Sequence, residues 1–130
     1  MSPEAGPKRA SHPVIAQLII IIALVGFDQL LKTFSPGAEN SLRVAPIIGT
    51  STIFAALYLL YKVNYSRLIS AGIMAVVAGG VSNLGDYFMR GAVRDNLHLF
   101  NLDFNLADVY VIVGISTILH ELRQGKIKPR

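Results

Sequence analysis

The sequence predicts an all-α membrane protein: a bundle of four transmembrane helices joined by short extracytoplasmic and cytoplasmic loops. Three observations predict it. Of 130 residues, 52% are hydrophobic and only 15% charged, too apolar a balance for an ordinary small soluble domain. The apolar residues gather in four stretches near the length that spans a bilayer. The basic residues fall outside those stretches and mostly on one side of the membrane they imply.

Residues 1–12 are rich in Pro, Gly, Ser and Ala and read as a cytoplasmic tail. The bundle itself is expected over 13–122. The first helix, 13–34, is uncharged from 14 to 27 and ends in Asp28-Gln29-Leu30-Leu31-Lys32. Its basic front and apolar middle resemble a signal peptide, but no small-x-small cleavage site follows, so it reads as an uncleaved helix. Turn residues at 35–41 mark an outer loop. The second helix, 46–62, draws on an uncharged run at 44–61. Residues 63–66 form an inner connection short enough to favour antiparallel neighbours. The third helix, 67–88, is uncharged from 68 to 85. An outer loop at 89–104 leads to the fourth helix, 105–122, the weakest of the four in apolar length. A basic cytoplasmic tail, 123–130, closes the chain. A soluble helical core would need polar outer faces, and residues 18–22 and 71–78 offer none.

Cysteine is absent, which removes thiol and disulfide chemistry. The net charge of +4 could suggest nucleic acid, but its placement argues for a topology signal instead. Lys8, Arg9, Lys62, Arg67, Arg123, Lys126, Lys128 and Arg130 fall on one side, against Lys32, Arg43, Arg90 and Arg94 on the other. Eight against four puts both termini in the cytoplasm. With that orientation the polar groups converge at one depth. Asp28 and Lys32 end the first helix, Gly49 opens the second, Asn83 and Asp86 end the third, and Asn105 and Asp108 open the fourth. Asp95 lies in the loop between.

Acids are expensive in a bilayer and mark function by default. Two carboxylates close together cannot both ionise cheaply, and that is the arrangement an aspartic protease uses. Asp95 and Asp108 are the candidate catalytic pair. The competing structural reading makes Asp95 a loop acid and Asp108 a first-turn acid complementing the helix dipole. Asn83 and Asp86 share a helical face with Gly79 and Gly80 one turn below, and those glycines permit close helix approach. Asn105 reads as an N-cap for the turn holding Asp108. Asp28 and Lys32 stand i,i+4 in the favourable order, either as a structural ion pair or in contact with substrate. Ser82 reads as a packing residue, and Arg90 and Arg94 as exposed interface charges. A metal site is not expected: His98 sits alone in the outer loop, with His12 and His120 on the other side.

These segments resemble those of the lipoprotein signal peptidases (signal peptidase II). Phe27-Asp28-Gln29-Leu30-Leu31-Lys32 is similar to the family's first-helix Asp-Gln-x-x-Lys segment. Gly79-Gly80-x-x-Asn83-x-x-Asp86 resembles its third-helix motif. Gly91-x-Val93-x-Asp95 and Phe104-Asn105-x-Ala107-Asp108 resemble the segments carrying its two catalytic aspartates. The resemblance implies a four-helix enzyme of the inner (cytoplasmic) membrane, with its active site near the outer face and a small extracytoplasmic β element. It implies an aspartic endopeptidase that needs no cofactor. Its partners would be lipidated prolipoprotein signal peptides and membrane lipids, with no nucleic acid, and it would act as a monomer. Asp95 and Asp108 take the catalytic roles; Asn83, Asp86, Asn105, Asp28, Lys32 and Gly49 bind substrate or support the pair. Two departures stand out. Tyr87 occupies the place of an Arg that usually follows the third-helix Asp. Of the Asn-x-Gly-x-x-Phe opening the second helix only Gly49 remains, with Ile47 and Thr52 in the flanking slots. They motivate an alternative, an inactive relative that binds signal peptides or partner helices. A small transporter or proton relay is a third class, disfavoured because the aspartates cluster at one face.

Overall fold

The computed structural model describes residues 14–35, 37–40, 45–64, 66–125 and 128–129; the expected tail at 1–12 lies outside them. Four helices dominate: α1 (Val14–Phe34), α2 (Ala45–Lys62), α3 (Arg67–Arg90) and α4 (Leu106–Arg123). Their bounds agree with the sequence reading to within two residues. Short strands occupy the connections: β1 (Ala38–Asn40), β2 (Val63–Asn64), β3 (Val93–Asp95), β4 (Leu97–Leu99), β5 (Leu102–Phe104) and β6 (Lys128–Pro129). The 89–104 loop is thus mostly ordered backbone. β3 pairs antiparallel with β1, and β4 with β5 as a hairpin. β2 pairs with β6, joining the inner connection to the basic tail.

α3 is the central helix, with α1, α2 and α4 all packed on it. Side-chain pairs give the directions. Gln17 meets Ser70, and Gln29 meets Ser82, so α1 and α3 run parallel. Ser66 meets Glu121 near one end, and Ala107 lies against Gly79 near the other, so α4 runs antiparallel to α3. The contact is close because a Cβ on Gly79 would overlap the Ala107 carbonyl oxygen. Gly72 and Gly114 meet in the same way one level down. Small residues that let helix backbones touch are a standard means of packing where lipid supplies no hydrophobic drive.

The helix ends follow from local chemistry. Ser66 caps α3 by accepting the Ile69 N–H. Gly91, at φ 76°, ends it in the left-handed conformation that favours glycine. The chain then turns back into β3, immediately beside the end of α3 that carries Asp86.

The interior is divided by level. Ala56, Ile69, Ile73, Val76, Val77 and Ile118 form the apolar core around the first half of α3. The second half faces polar partners. Outward, the helices present Ile19, Ile22, Phe54, Ile112 and Val113, all exposed. Among the described residues, α1 and α3 are long and apolar enough to cross a membrane, over Ile15–Phe34 and Arg67–Arg90, and α2 contributes the apolar stretch Ile47–Leu59.

Candidate active site

The polar end of the bundle holds a buried ion cluster with the two candidate catalytic acids beside it. Lys32 is its hub. Lys32 Nζ lies 2.7 Å from Asp28 Oδ2 and 3.1 Å from Asp86 Oδ2. It also donates to Asn83 Oδ1 at 3.1 Å. Asp28, Lys32 and Asp86 are each 1% exposed or less, and a charge so buried needs partners on every side. Asp28 has them: Ser82 Oγ donates to its Oδ2 at 2.6 Å, and the Ala107 N–H to its Oδ1 at 3.0 Å. Gln29 Nε2 donates to the same Ser82 hydroxyl at 2.9 Å. The i,i+4 spacing of Asp28 and Lys32, and of Ser82 and Asp86, turns these groups to facing sides of two parallel helices.

Arg94 closes the cluster from β3. Its Nη2 reaches Asp86 Oδ1 at 3.1 Å and Gln29 Oε1 at 3.0 Å, and its Nη1 donates to the Lys32 carbonyl at 3.3 Å. Its backbone N–H donates to Asp86 Oδ2 at 3.3 Å. Two carboxylates thus face two cations, and the cluster is neutral.

Asn105 ties the two candidate acids together. As the N-cap of α4 it accepts the Asp108 N–H at 3.0 Å, and its own N–H donates to Asp108 Oδ2 at 3.0 Å, a complete capping box. Its side-chain amide donates to Asp95 Oδ1 at 3.0 Å and to the Arg94 carbonyl at 3.3 Å. Asn83 Nδ2 donates to Asp108 Oδ1 at 2.9 Å. Asp108 is therefore held from α3, α4 and, through Asn83, by Lys32 on α1. Asp95 sits on β3 opposite Ala38 of β1, 6% exposed.

The matches with known proteins decide what this arrangement belongs to. The family described as signal peptidase (SPase) II matches residues 33–123, some two thirds of the chain. The chain belongs to the signal peptidase II family. The Rickettsia conorii lipoprotein signal peptidase is 38% identical over 84 residues, 59% of this chain but 41% of that protein, so the chain spans about two fifths of that relative's length. The lipoprotein signal peptidase of Azoarcus sp. is 29% identical over 84% of this chain and 70% of its own. That of Streptococcus pneumoniae is 25% identical over 84% of this chain and 93% of its own. Two solved structures of a bacterial membrane enzyme share the fold. They superpose with TM-scores of 0.70 and 0.69 at 20% and 21% identity, covering 85% and 84% of this chain and 89% and 93% of theirs.

Against the signal peptidase II pattern, the structure brings Asp28, Lys32, Asn83, Asp86, Asp95, Asn105 and Asp108 into one network. Gly49 stands apart: a side chain there would press on Leu84, and its carbonyl lies near Gly80, so it serves the α2–α3 contact. Two sequence expectations are corrected. Arg94 is not an exposed interface charge but is 8% exposed and bound to Asp86, Gln29 and Lys32. Ser82 is not mere packing, since its hydroxyl bridges Gln29 and Asp28. Asp28 and Lys32 form an ion pair in which neither side chain reaches the surface. Asn96, beside Asp95, was also missed: its side-chain oxygen is buried and has no hydrogen-bond partner among the described residues. His98 pairs across the hairpin with Asp103.

Proposed function

We propose that the chain is a membrane aspartic endopeptidase that removes signal peptides from lipidated prolipoproteins. The observation that carries this reading is the Asn105 bridge, which binds Asp95 and Asp108 through one side chain. One aspartate is ionised and takes a proton from the attacking water. The other keeps its proton, hydrogen-bonds the scissile carbonyl oxygen and then protonates the departing amide nitrogen. Asn83 and Asn105 are the positioning groups: each spends an amide N–H on a carboxylate and so fixes which oxygens remain for water and substrate. The substrate is a membrane-inserted signal peptide preceding a lipid-modified cysteine, reached laterally from the bilayer.

The exposed apolar surfaces of all four helices support a four-span bundle over 13–122, with residues 1–12 and 123–130 as cytoplasmic tails. With both termini in the cytoplasm, the ends of α1 and α3 and the start of α4 carry the site to the outer face of the cytoplasmic membrane. The chain acts as a monomer, since the network closes within one copy.

The deciding experiment is cleavage of a synthetic lipidated prolipoprotein peptide by purified protein in detergent or nanodiscs. Wild type should cleave, while Asp95→Asn and Asp108→Asn should each abolish turnover without unfolding the bundle. Loss of either should equal loss of both, because members of one catalytic unit are not additive. Chelators should have no effect. Cleavage that survives both substitutions removes the aspartic mechanism. A folded wild type that cleaves no lipidated substrate leaves the inactive, signal-peptide-binding relative in its place.

A further inference from the structure

We infer that Arg94 is a positioning residue that keeps the ion cluster beside the Asp95–Asp108 pair neutral, and so sets the pH range in which that pair holds one proton. The inference rests on the peptidase reading for its kinetic test, but its second readout does not.

β3 runs against β1 with Glu39 opposite Arg94 in register, so an Arg94 side chain facing along the strand pair could have met Glu39. Instead the Arg94 side chain turns in, against α3 and α1. Asp86 grips it twice, one oxygen on the guanidinium and the other on the backbone N–H. The Asn105 amide binds its carbonyl. Arg94 is therefore clamped at its N–H, its carbonyl and its side chain, and its covalent neighbour Asp95 is fixed with it. The position after Asp86 carries Tyr87 rather than a cation, so the second positive charge on Asp86 arrives from β3.

The charge count gives the sign. Asp28 and Asp86 contribute −2; Lys32 and Arg94 contribute +2. Removing Arg94 leaves a net −1 next to two carboxylates that must share a proton. Negative charge favours their protonated forms. A unit charge uncompensated at roughly 10 Å in a medium of effective dielectric near 20 displaces a titration by about one pH unit. The remaining titratable groups near this end do not change the count. Glu39 on β1 is exposed, His98 and Asp103 pair with each other on the hairpin, and Tyr110 on α4 lies near Asp28. Arg90 is exposed at the end of α3. α2 carries no acid, and its titratable Tyr58, Tyr61 and Lys62 all fall in its second half, toward the opposite end.

The test is a charge series read as pH–rate profiles. Arg94→Gln should shift both limbs about one unit toward higher pH. Asp86→Asn, which leaves the cluster at +1, should shift them about one unit toward lower pH. The double variant Arg94→Gln/Asp86→Asn is neutral again, and its limbs should return near wild type although it has lost more contacts than either single variant. Arg94→Lys keeps the charge but not the fork; it should lower kcat and leave the limbs in place. A merely structural role predicts the reverse, with the double variant worst and no movement of the limbs. Limbs that stay put, or move the same way in both single variants, overturn the inference while the peptidase reading stands. Should wild type fail to cleave at all, the same series is read by NMR titration of ¹³C-labelled aspartate carboxyls. The chain has only five aspartates, and the Asp95 and Asp108 signals should move in the same opposed directions. Unmoved signals overturn the inference. If Arg94→Gln does not fold, Asp86→Asn and the double variant still give the sign.

Discussion

The side-chain amide of Asn105 donates to Asp95 Oδ1 at 3.0 Å. The same side chain caps α4 by accepting the N–H of Asp108 at 3.0 Å. One residue therefore starts a helix and sets the relative placement of the two candidate catalytic acids. The two roles use different atoms: the cap uses Oδ1 and the bridge uses Nδ2. That separation makes them experimentally distinct.

Asn105→Ala should lose both. The lost cap costs about 1–2 kcal/mol of stability, and the freed Asp95 should lower kcat on the order of 10²-fold, as small misplacements do. Asn105→Ser keeps an oxygen to cap the helix but has no amide to give Asp95. Its melting temperature should fall less than that of Asn105→Ala, while kcat falls about as far. If the serine variant keeps full activity, the bridge to Asp95 does not matter for turnover.

Asp28 should act through stability. It is fully buried, pairs with Lys32, and accepts from Ser82 and Ala107. Asp28→Ala leaves a buried ammonium short of one partner and the Ala107 N–H with none, a loss of about 3–5 kcal/mol. Asp28→Asn, with its oxygen still available to Ala107, should cost less. Thermal unfolding in detergent separates the two. An alanine variant that melts like wild type yet fails to cleave would mean that Asp28 meets substrate after all.

Much of this is legible in the sequence alone. The helix limits could be read because uncharged runs and caps mark them: Asn105 and Asp108 announce the start of α4, and Gly91 follows the end of α3. The convergence of the acids needed only the direction of each helix. Arg94 was misread for a physical reason. Its partners, Asp86, Gln29 and the Lys32 carbonyl, are 8, 65 and 62 residues away, and a strand residue's face depends on a register that no local pattern reveals. Ser82 failed likewise, since its partner Asp28 is 54 residues distant. A surplus cation one residue before a candidate catalytic acid was the one available hint.

Two glycines of α3 should respond in opposite ways. A Cβ on Gly79 would overlap the Ala107 carbonyl, whereas one on Gly85 would meet nothing within 4 Å. Gly79→Ala must push α4 away and carry Asn105 and Asp108 with it. It should destabilise by about 1–3 kcal/mol and reduce cleavage. Gly85→Ala should be neutral or stabilising by up to about 1 kcal/mol, because alanine is the better helix former. Equal melting temperatures for the two variants would contradict the close α3–α4 contact.

Topology decides whether the network lies where a lipidated substrate can reach it. In the proposed orientation, taken from the eight-to-four distribution of Lys and Arg, both termini lie inside, and the parallel course of α1 and α3 would then bring Asp28, Lys32, Asn83 and Asp86 to the outer face together. The absence of native cysteine makes this directly measurable. Phe100, at the hairpin turn, is 89% exposed, and Gln124, just beyond α4, is also exposed. In intact cells or spheroplasts Phe100→Cys should react with a membrane-impermeant maleimide, and Gln124→Cys should react only after permeabilisation. A tag inserted at 35–41 should be accessible from outside, and a reporter fused after Arg130 should be cytoplasmic. Labelling of Gln124→Cys from outside would put the C-terminus on the wrong side. The four-span bundle would fall with it, and so would an outer-face site built from both α3 and α4.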